Sequence, residues 1–317
     1  MTGSVKLMRL ENKMTIQRQQ GGSQRDWDAV RQHSDLPIIT IITSTYNVVQ
    51  DLQWTIDSIK NQTYPNIQWI IADGASTDGT VTMLKANSEL IDYWFSEPDT
   101  GIYDAWNKAL EHVKGDWVQF IGAGDELYET NILEKVASHL KDAYPNYELV
   151  YGQVMHISEK GRKELYISGE PWEHYQGKWS TYVRPEIPEH PAIYHHVSLF
   201  QYIQFDTKLK ISADSLFILQ ALKKNNTMLF IEVIVDRFVV GGISDSFESF
   251  PKIYNEMCYI KDIVGFSAPL HIRTVGKTKY WFKTSLIKVF SVPRSMKITD
   301  SIRALIGKER AWTKDRE

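Results

Sequence analysis

Between Leu36 and Glu126 the chain repeats one order of segments: a short β-branched or aromatic run, a polar loop that in most repeats carries acids, then apolar residues at helical spacing. "LPIITIITSTYN" is the first run and reads as a buried strand bounded by polar residues. Val48, Val49, Leu52, Ile56 and Ile59 follow at helical spacing until "TYPN" breaks the pattern. "IQWIIA" is a second strand that ends in "DGASTDGT", and "VTMLKAN" continues as a helix. "IDYWFSE" is a third strand, "GIYDAWNKALEHV" a helix with Ile102, Ala105, Ala109, Leu110 and Val113 inward, and "DWVQFI" a fourth strand. This alternation predicts an α/β fold on a doubly wound, mostly parallel sheet, with the ligand at the carboxyl ends of its strands.

Residues 1–35 mix charges and glutamines with little apolar periodicity, which predicts a mobile or loosely packed polar extension. Residues 36–128 then form a regular first half of the folded part and 129–247 a less regular second half. The second half should hold a helix near 131–140, a strand "ELVYGQV", a hairpin around Gly161, an aromatic-rich section at 170–203, a helix at 214–224 and a strand pair within 227–240. Residues 248–317 make a basic amphipathic segment, with 14 Lys and Arg against 6 Asp and Glu from Lys252 onward. Its Tyr280, Trp281, Phe282, Leu286, Ile287, Val289 and Phe290 interleave with Lys277, Lys279, Lys283 and Lys288. That pattern fits either a segment lying on an anionic membrane face or a helix packed on the core with a solvated lysine face.

A net charge of −3 gives no case for nucleic-acid binding. Cys258 is the single cysteine, so no intrachain disulfide or two-cysteine redox site can form, and a reducing cytoplasm is the expected compartment. The first 35 residues lack the apolar core of a secretory signal, and no apolar run approaches the ~18 residues that span a bilayer.

Acids gather where the strands end: Asp73 and Asp78 after the second, Glu97 and Asp99 after the third, Asp125 after the fourth. Carboxylates converging on one edge repel an anionic ligand unless a cation or donors on the ligand offset them. A metal-held diphosphate with a base or ribose that donates to carboxylates meets that condition. Capping of backbone amides by Ser76, Thr77 and Asp78 is the plainer reading of their loop.

Taken together, "PIITIITSTYN", "DGASTDGT", "SEPDTGIYDAWNKAL" and "GDWVQFIGAGDEL" resemble, in order and spacing, the bacterial family-two glycosyltransferases, inverting sugar transferases of the GT-A fold. The likeness runs through residues 37 to about 128 and more loosely through 189–244. It implies a nucleotide-sugar donor, UDP-linked, and a saccharide or lipid-linked saccharide acceptor. Thr43, Thr45, Tyr46 and Asn47 would touch the nucleotide, Asp73 would accept from its base, and Ser76 and Asp78 belong to the same loop. Glu97 and Asp99 would flank the donor, Gly101 lets the chain turn, and Asp104, Asn107 and Lys108 would face the donor from the helix; Lys108 serves equally as the counter-ion of Asp104. The family's metal-binding D-x-D loop here reads Gly122, Ala123, Gly124, Asp125, Glu126, so only Asp125 remains to hold Mg2+ or Mn2+.

The resemblance makes Asp214, at the start of a helix whose dipole would keep it ionised, the catalytic base; an N-cap is the alternative. His190 would touch diphosphate or acceptor, or be an ordinary structural histidine. Tyr64, Trp172, Tyr175, Trp179 and Tyr182 could offer flat faces to sugar rings, or be core. A sugar nucleotidyltransferase would need a glycine-rich loop with a basic residue after the first strand, which "TSTYNVVQDL" lacks. A binding protein that has lost turnover is the other alternative, given Gly122 and Gly124.

Overall fold

The computed structural model describes residues 18–180, 182–305 and 307. Strand β1 (Gln19–Gly21) and helix α1 (Trp27–His33) precede the parallel core of β2 (Ile39–Thr45), α2 (Leu52–Lys60), β3 (Ile67–Asp73), α3 (Thr80–Ala86), β4 (Tyr93–Ser96), α4 (Ile102–Leu110) and β5 (Trp117–Phe120). Next come β6 (Glu126–Leu127), α5 (Ile132–Leu140), β7 (Leu149–Ile157), β8 (Glu164–Ser168), β9 (Ile193–His196), α6 (Ala213–Lys224) and β10 (Leu229–Val239). Helices α7 (Phe250–Val264), α8 (Leu270–Val289) and α9 (Val292–Leu305) close the chain.

The sheet runs β1-β4-β3-β2-β5-β9-β7-β10-β6, with β8 paired to β7. Strands β4, β3, β2 and β5 are parallel neighbours. β9 is antiparallel to both β5 and β7, and β10 is parallel to β7. The carboxyl ends of β2, β3, β4, β5, β7 and β10 therefore share one edge.

Period-two alternation divides the core. Ile42, Ile70 and Ala72 pack with α4, α6 and α7 on one face. Ile39, Ile41, Trp69 and Ile71 pack with α2, α3 and α5 on the other. Such double-sided burial is why these strands read as continuous apolar runs.

Three expectations change. The polar extension, outside residues 1–17, which lie beyond the described part, is tied down: β1 pairs antiparallel with β4, and Asp26 caps α1 by accepting from the amides of Asp28 and Ala29. A three-residue polar strand has no periodicity to detect, yet it satisfies the open edge of β4. The strand pair within 227–240 is one strand, β10, whose pairing to β7 shifts register between Phe230 and Asp236. On α4, Tyr103, Ala105, Trp106 and Ala109 face inward while Ile102 is exposed.

Candidate active site at the carboxyl edge

Asp73 ends β3 almost wholly buried and gathers three loops. It accepts from Thr45 Oγ1 (2.8 Å), Ser96 Oγ (2.6 Å), Ser76 N (2.9 Å) and Ser76 Oγ (2.5 Å). Four donors use the capacity of a carboxylate, so in this arrangement Asp73 is a hub that fixes the ends of β2, β3 and β4 together. Ser76 Oγ also accepts from the amide of Asn47, a residue held at φ 53°, and the Asn47 side chain accepts from the amide of Thr77. Asp78 accepts from the Thr80 hydroxyl, which does most to lower its pKa, and from the amides of Val49 and Thr80. Ser76, Asp78 and Asn47 thus stitch the β2–α2 loop to the β3–α3 loop; Ser76 and Asp78 satisfy backbone amides as the plainer reading expected, whereas Thr77 enters only through its own amide.

A shelf stands over these ties. Tyr46 is 65% exposed, and a Cβ placed on Gly74 would lie 3.2 Å from its ring and 2.7 Å from Asp99 Oδ2. Only glycine leaves Tyr46 and Asp99 this close to the backbone. Asp99 also accepts from the Gly101 amide at 2.8 Å, and Gly101 takes φ 128°, which sets the turn into α4.

The charges of α4 are largely paired among themselves. Lys108 bridges Glu97 (3.1 Å) and Asp104 (3.3 Å) and donates to the Pro98 carbonyl, and Arg18 adds a second cation to Glu97 at 3.6 Å. Burial alone would lower the Lys108 pKa, but the two carboxylates more than offset it and raise it. Asp104 accepts from the Thr100 amide at the start of the helix. Lys108 is therefore a counter-ion. Thr43 and Asn107 are corrections: Thr43 is fully buried and accepts from Trp69 Nε1, because its β2 position points to the α2 face. Asn107 clamps the backbone of Phe205, donating to its carbonyl (2.8 Å) and accepting from its amide (3.1 Å).

The aromatic residues of the same helix, Tyr103 and Trp106, are buried, and each ties α4 to another element. Tyr103 donates its hydroxyl to Asp214 Oδ1 at 3.1 Å, and Trp106 donates to Ser44 Oγ at 3.2 Å. Asp214 lies in the first turn of α6. Burial raises its pKa, and the Ser215 amide, Arg184 and Tyr103 only partly oppose this. Desolvation thus outweighs the helix dipole that was expected to keep it ionised. Sequence reasoning passed over Tyr103 and Trp106. Their i, i+3 spacing is the signal for a shared face, hidden by the charged residues around them.

His190 is also corrected. It is buried, its ring stacked near Trp106 and Phe120, and burial brings its pKa down to about 3. A neutral core histidine brings no positive charge to a diphosphate. Tyr64 is core, with its hydroxyl on the Pro37 carbonyl, while Trp172, Tyr175 and Tyr182 pack against the α4–α6–α7 core.

The loop after β5 departs furthest from expectation. Asp125 is buried, and its Oδ1 accepts from the Val239 amide at 2.9 Å, which ties β5 to β10. A Cβ on Gly122 would lie 2.6 Å from Asp125 Oδ2, and Gly124 takes φ 103°. Gly124 is required by the backbone's left-handed turn, and a side chain at 122 would have to displace the Asp125 carboxylate, so the two acids of a D-x-D signature do not fit this arrangement of the loop. Burial pushes the Asp125 carboxyl up to about 7, against the Val239 amide and Arg162, which lower it. Among the described residues no three or more His, Cys, Asp or Glu converge as metal ligands. As arranged, this loop does not fit a protein-built divalent site.

The Asp125 geometry has a stability consequence. Its folded pKa is raised, so its favourable contribution is complete below the unfolded carboxylate pKa near 4 and is lost as pH rises through about 7. The difference corresponds to roughly 4 kcal/mol at full ionisation. Asp125→Asn keeps an acceptor for Val239 and is expected to flatten the fall in Tm as pH rises from about 4 to about 8. Thermal melts of both proteins across that range check it; parallel curves would contradict it.

The family model described as "Glycosyl transferase family 2" matches residues 40–202, about half of the chain. A "PGL/p-HBAD biosynthesis glycosyltransferase" of Mycobacterium bovis is 36% identical over 124 residues, 38% of this chain and 47% of that protein. The "Putative teichuronic acid biosynthesis glycosyltransferase TuaG" of Bacillus subtilis is 33% identical over 102 residues, 31% of this chain and 40% of that one. The chain spans about half the length of the curated relatives it matches. Among solved structures, the mannosyltransferase PcManGT of Pyrobaculum calidifontis, in complex with GDP-Man and Mn2+, aligns with TM-score 0.56 at 18% identity over 89% of this chain and 84% of that one. S. aureus TarS 1-349 in complex with UDP-GlcNAc aligns with TM-score 0.54 at 18% identity over 80% and 73%. These two likenesses bear on the fold.

Proposed function

Because the chain belongs to glycosyl transferase family 2, we propose that it is an inverting glycosyltransferase that moves a sugar from a UDP-linked donor to a carbohydrate or lipid-linked oligosaccharide acceptor in bacterial surface polysaccharide synthesis. The observation that carries this reading is that Asp214, from the less regular half, accepts from Tyr103 of α4, the helix that follows β4, whose last residue Ser96 donates to the Asp73 hub. The nucleotide rests on the Tyr46, Gly74 and Asp99 shelf, with Thr45, Asn47, Asp73, Ser76 and Asp78 holding the loops beneath it. Asp214 takes the proton of the acceptor hydroxyl as its oxygen bonds to the anomeric carbon and the bond to the diphosphate breaks. Its raised pKa makes it a stronger base than an exposed carboxylate. Lys210, donating to the carbonyls of Thr100 and Thr207 beside Gly101, stands as a cation for the departing diphosphate.

The same reading places the reaction in the cytoplasm, with the basic C-terminal helices touching the membrane face; no described helix is long and apolar enough to cross a membrane. A second reading, binding without turnover, draws on Gly122, Gly124 and the buried Asp125. The test is nucleoside diphosphate release from a panel of UDP-, GDP-, dTDP- and ADP-sugars, with and without Mn2+, alongside donor binding. Release from at least one donor is expected, UDP-sugars first. Binding with no release under either condition supports the second reading, and no binding at all removes both.

A further inference from the structure

Helices α7 and α8 bound a groove of about 520 Å³ that the proposed sugar chemistry does not use. Lys261, Arg273 and Lys277 stand at it together with Tyr254, Leu270 and Trp281. The carboxylate nearest Lys261 is Asp262 at 3.9 Å, and no ion pair or side-chain hydrogen bond engages Arg273 or Lys277 among the described residues. Helix α8 carries five Lys and Arg and no carboxylate in its 20 residues; only Gly276 and Lys283 of it are buried, and burial brings the Lys283 pKa down to about 7, which leaves four outward cations. Leu270 (75%) and Trp281 (60%) are largely exposed, as are Val275, Phe282 and Val289.

A helix that is merely solvated on one side keeps its cations and its apolar residues on opposite faces. Here they share one stripe: Leu270, Thr274, Lys277 and Trp281 follow one another at helical spacing and line the same groove. That mixture matches the boundary between phosphate headgroups and acyl chains, where a basic helix binds by charge while Trp and Leu enter the interface.

We propose that the α7–α8 groove docks on the headgroups of an anionic phospholipid bilayer, with Arg273 and Lys277 on the phosphates and Leu270 and Trp281 in the interfacial layer. Val183 lines the groove, and the next residue, Arg184, is a buried cation that acts electrostatically on Asp214. The inference specifies the membrane contact proposed above and rests on it, but not on the identity of donor or acceptor.

The test is co-sedimentation of the full chain with vesicles of phosphatidylcholine alone or mixed with phosphatidylglycerol, at low and high salt. Binding is expected to the mixed vesicles only and to weaken with salt. Arg273→Glu with Lys277→Glu should reduce it at least about tenfold, and Trp281→Ser should weaken it without changing its salt dependence. Equal binding to neutral vesicles, indifference to the charge reversals, or displacement by free glycerol phosphate, which marks a soluble phosphate ligand, each overturns the proposal. A UDP-induced Tm shift on the same variants separates the two readings: vesicle binding lost with the shift retained locates the effect in the groove, and a shift absent from the unaltered chain is a failure of the donor site alone.

Discussion

Asp214→Asn is expected to lower sugar transfer by about 10²–10⁴-fold while nucleotide binding is unchanged. The amide preserves size and can still accept from Tyr103, so the turn into α6 is kept, but it cannot take the proton of an acceptor hydroxyl. The pH profile adds a second test. Burial holds the Asp214 carboxyl above its ordinary range, so the acid limb of the wild-type rate should lie at higher pH than an exposed carboxylate gives, and should vanish in the variant. Initial rates across pH with a saturating donor check both. A variant with wild-type rate would remove Asp214 from the chemistry.

Asp73→Ala is the second large effect, and it acts on the other half of the site. The four hydrogen bonds accepted by Asp73 come from the ends of the two flanking strands, at Thr45 and Ser96, and from Ser76, so their loss leaves buried hydroxyls at Thr45 and Ser96 and the half-buried Ser76 without this partner. Breaking such a set costs on the order of 3 kcal/mol of stability. It should also release the Asn47 and Thr77 ties and weaken nucleotide binding by about 100-fold, a loss close to the same energy. Denaturant unfolding and donor titration measure the two separately. Asp73→Asn, which keeps two acceptor positions, should fall between.

The parallel core was legible because its strands are buried on both faces and its helices amphipathic, so periodicity alone separated them. The acid-rich loops were legible as a candidate site because the parallel topology brings the carboxyl ends of β2, β3, β4 and β5 to one edge. What the sequence concealed were the partners. Lys108, Asp104 and Glu97 look like ligands in one dimension but neutralise one another in three. Tyr103 and Trp106 look like core and are core, yet one of them holds the candidate base. The loss of acids at Gly122 and Gly124 looked like a weakened metal loop; the structure shows that Asp125 occupies the space a side chain at 122 would need. Strand β1 escaped notice because three polar residues carry no pattern, although their backbone closes the sheet edge.

The central claim is that the edge built on Asp73 binds a nucleotide sugar. Its most direct test is calorimetric titration of UDP and of a UDP-sugar into the wild-type chain and Asp73→Ala at neutral pH. Saturable one-to-one binding to the wild type, weakened about 100-fold in the variant, is the result predicted here. Heat of binding that is absent in the wild type, or identical in the two proteins, would contradict it.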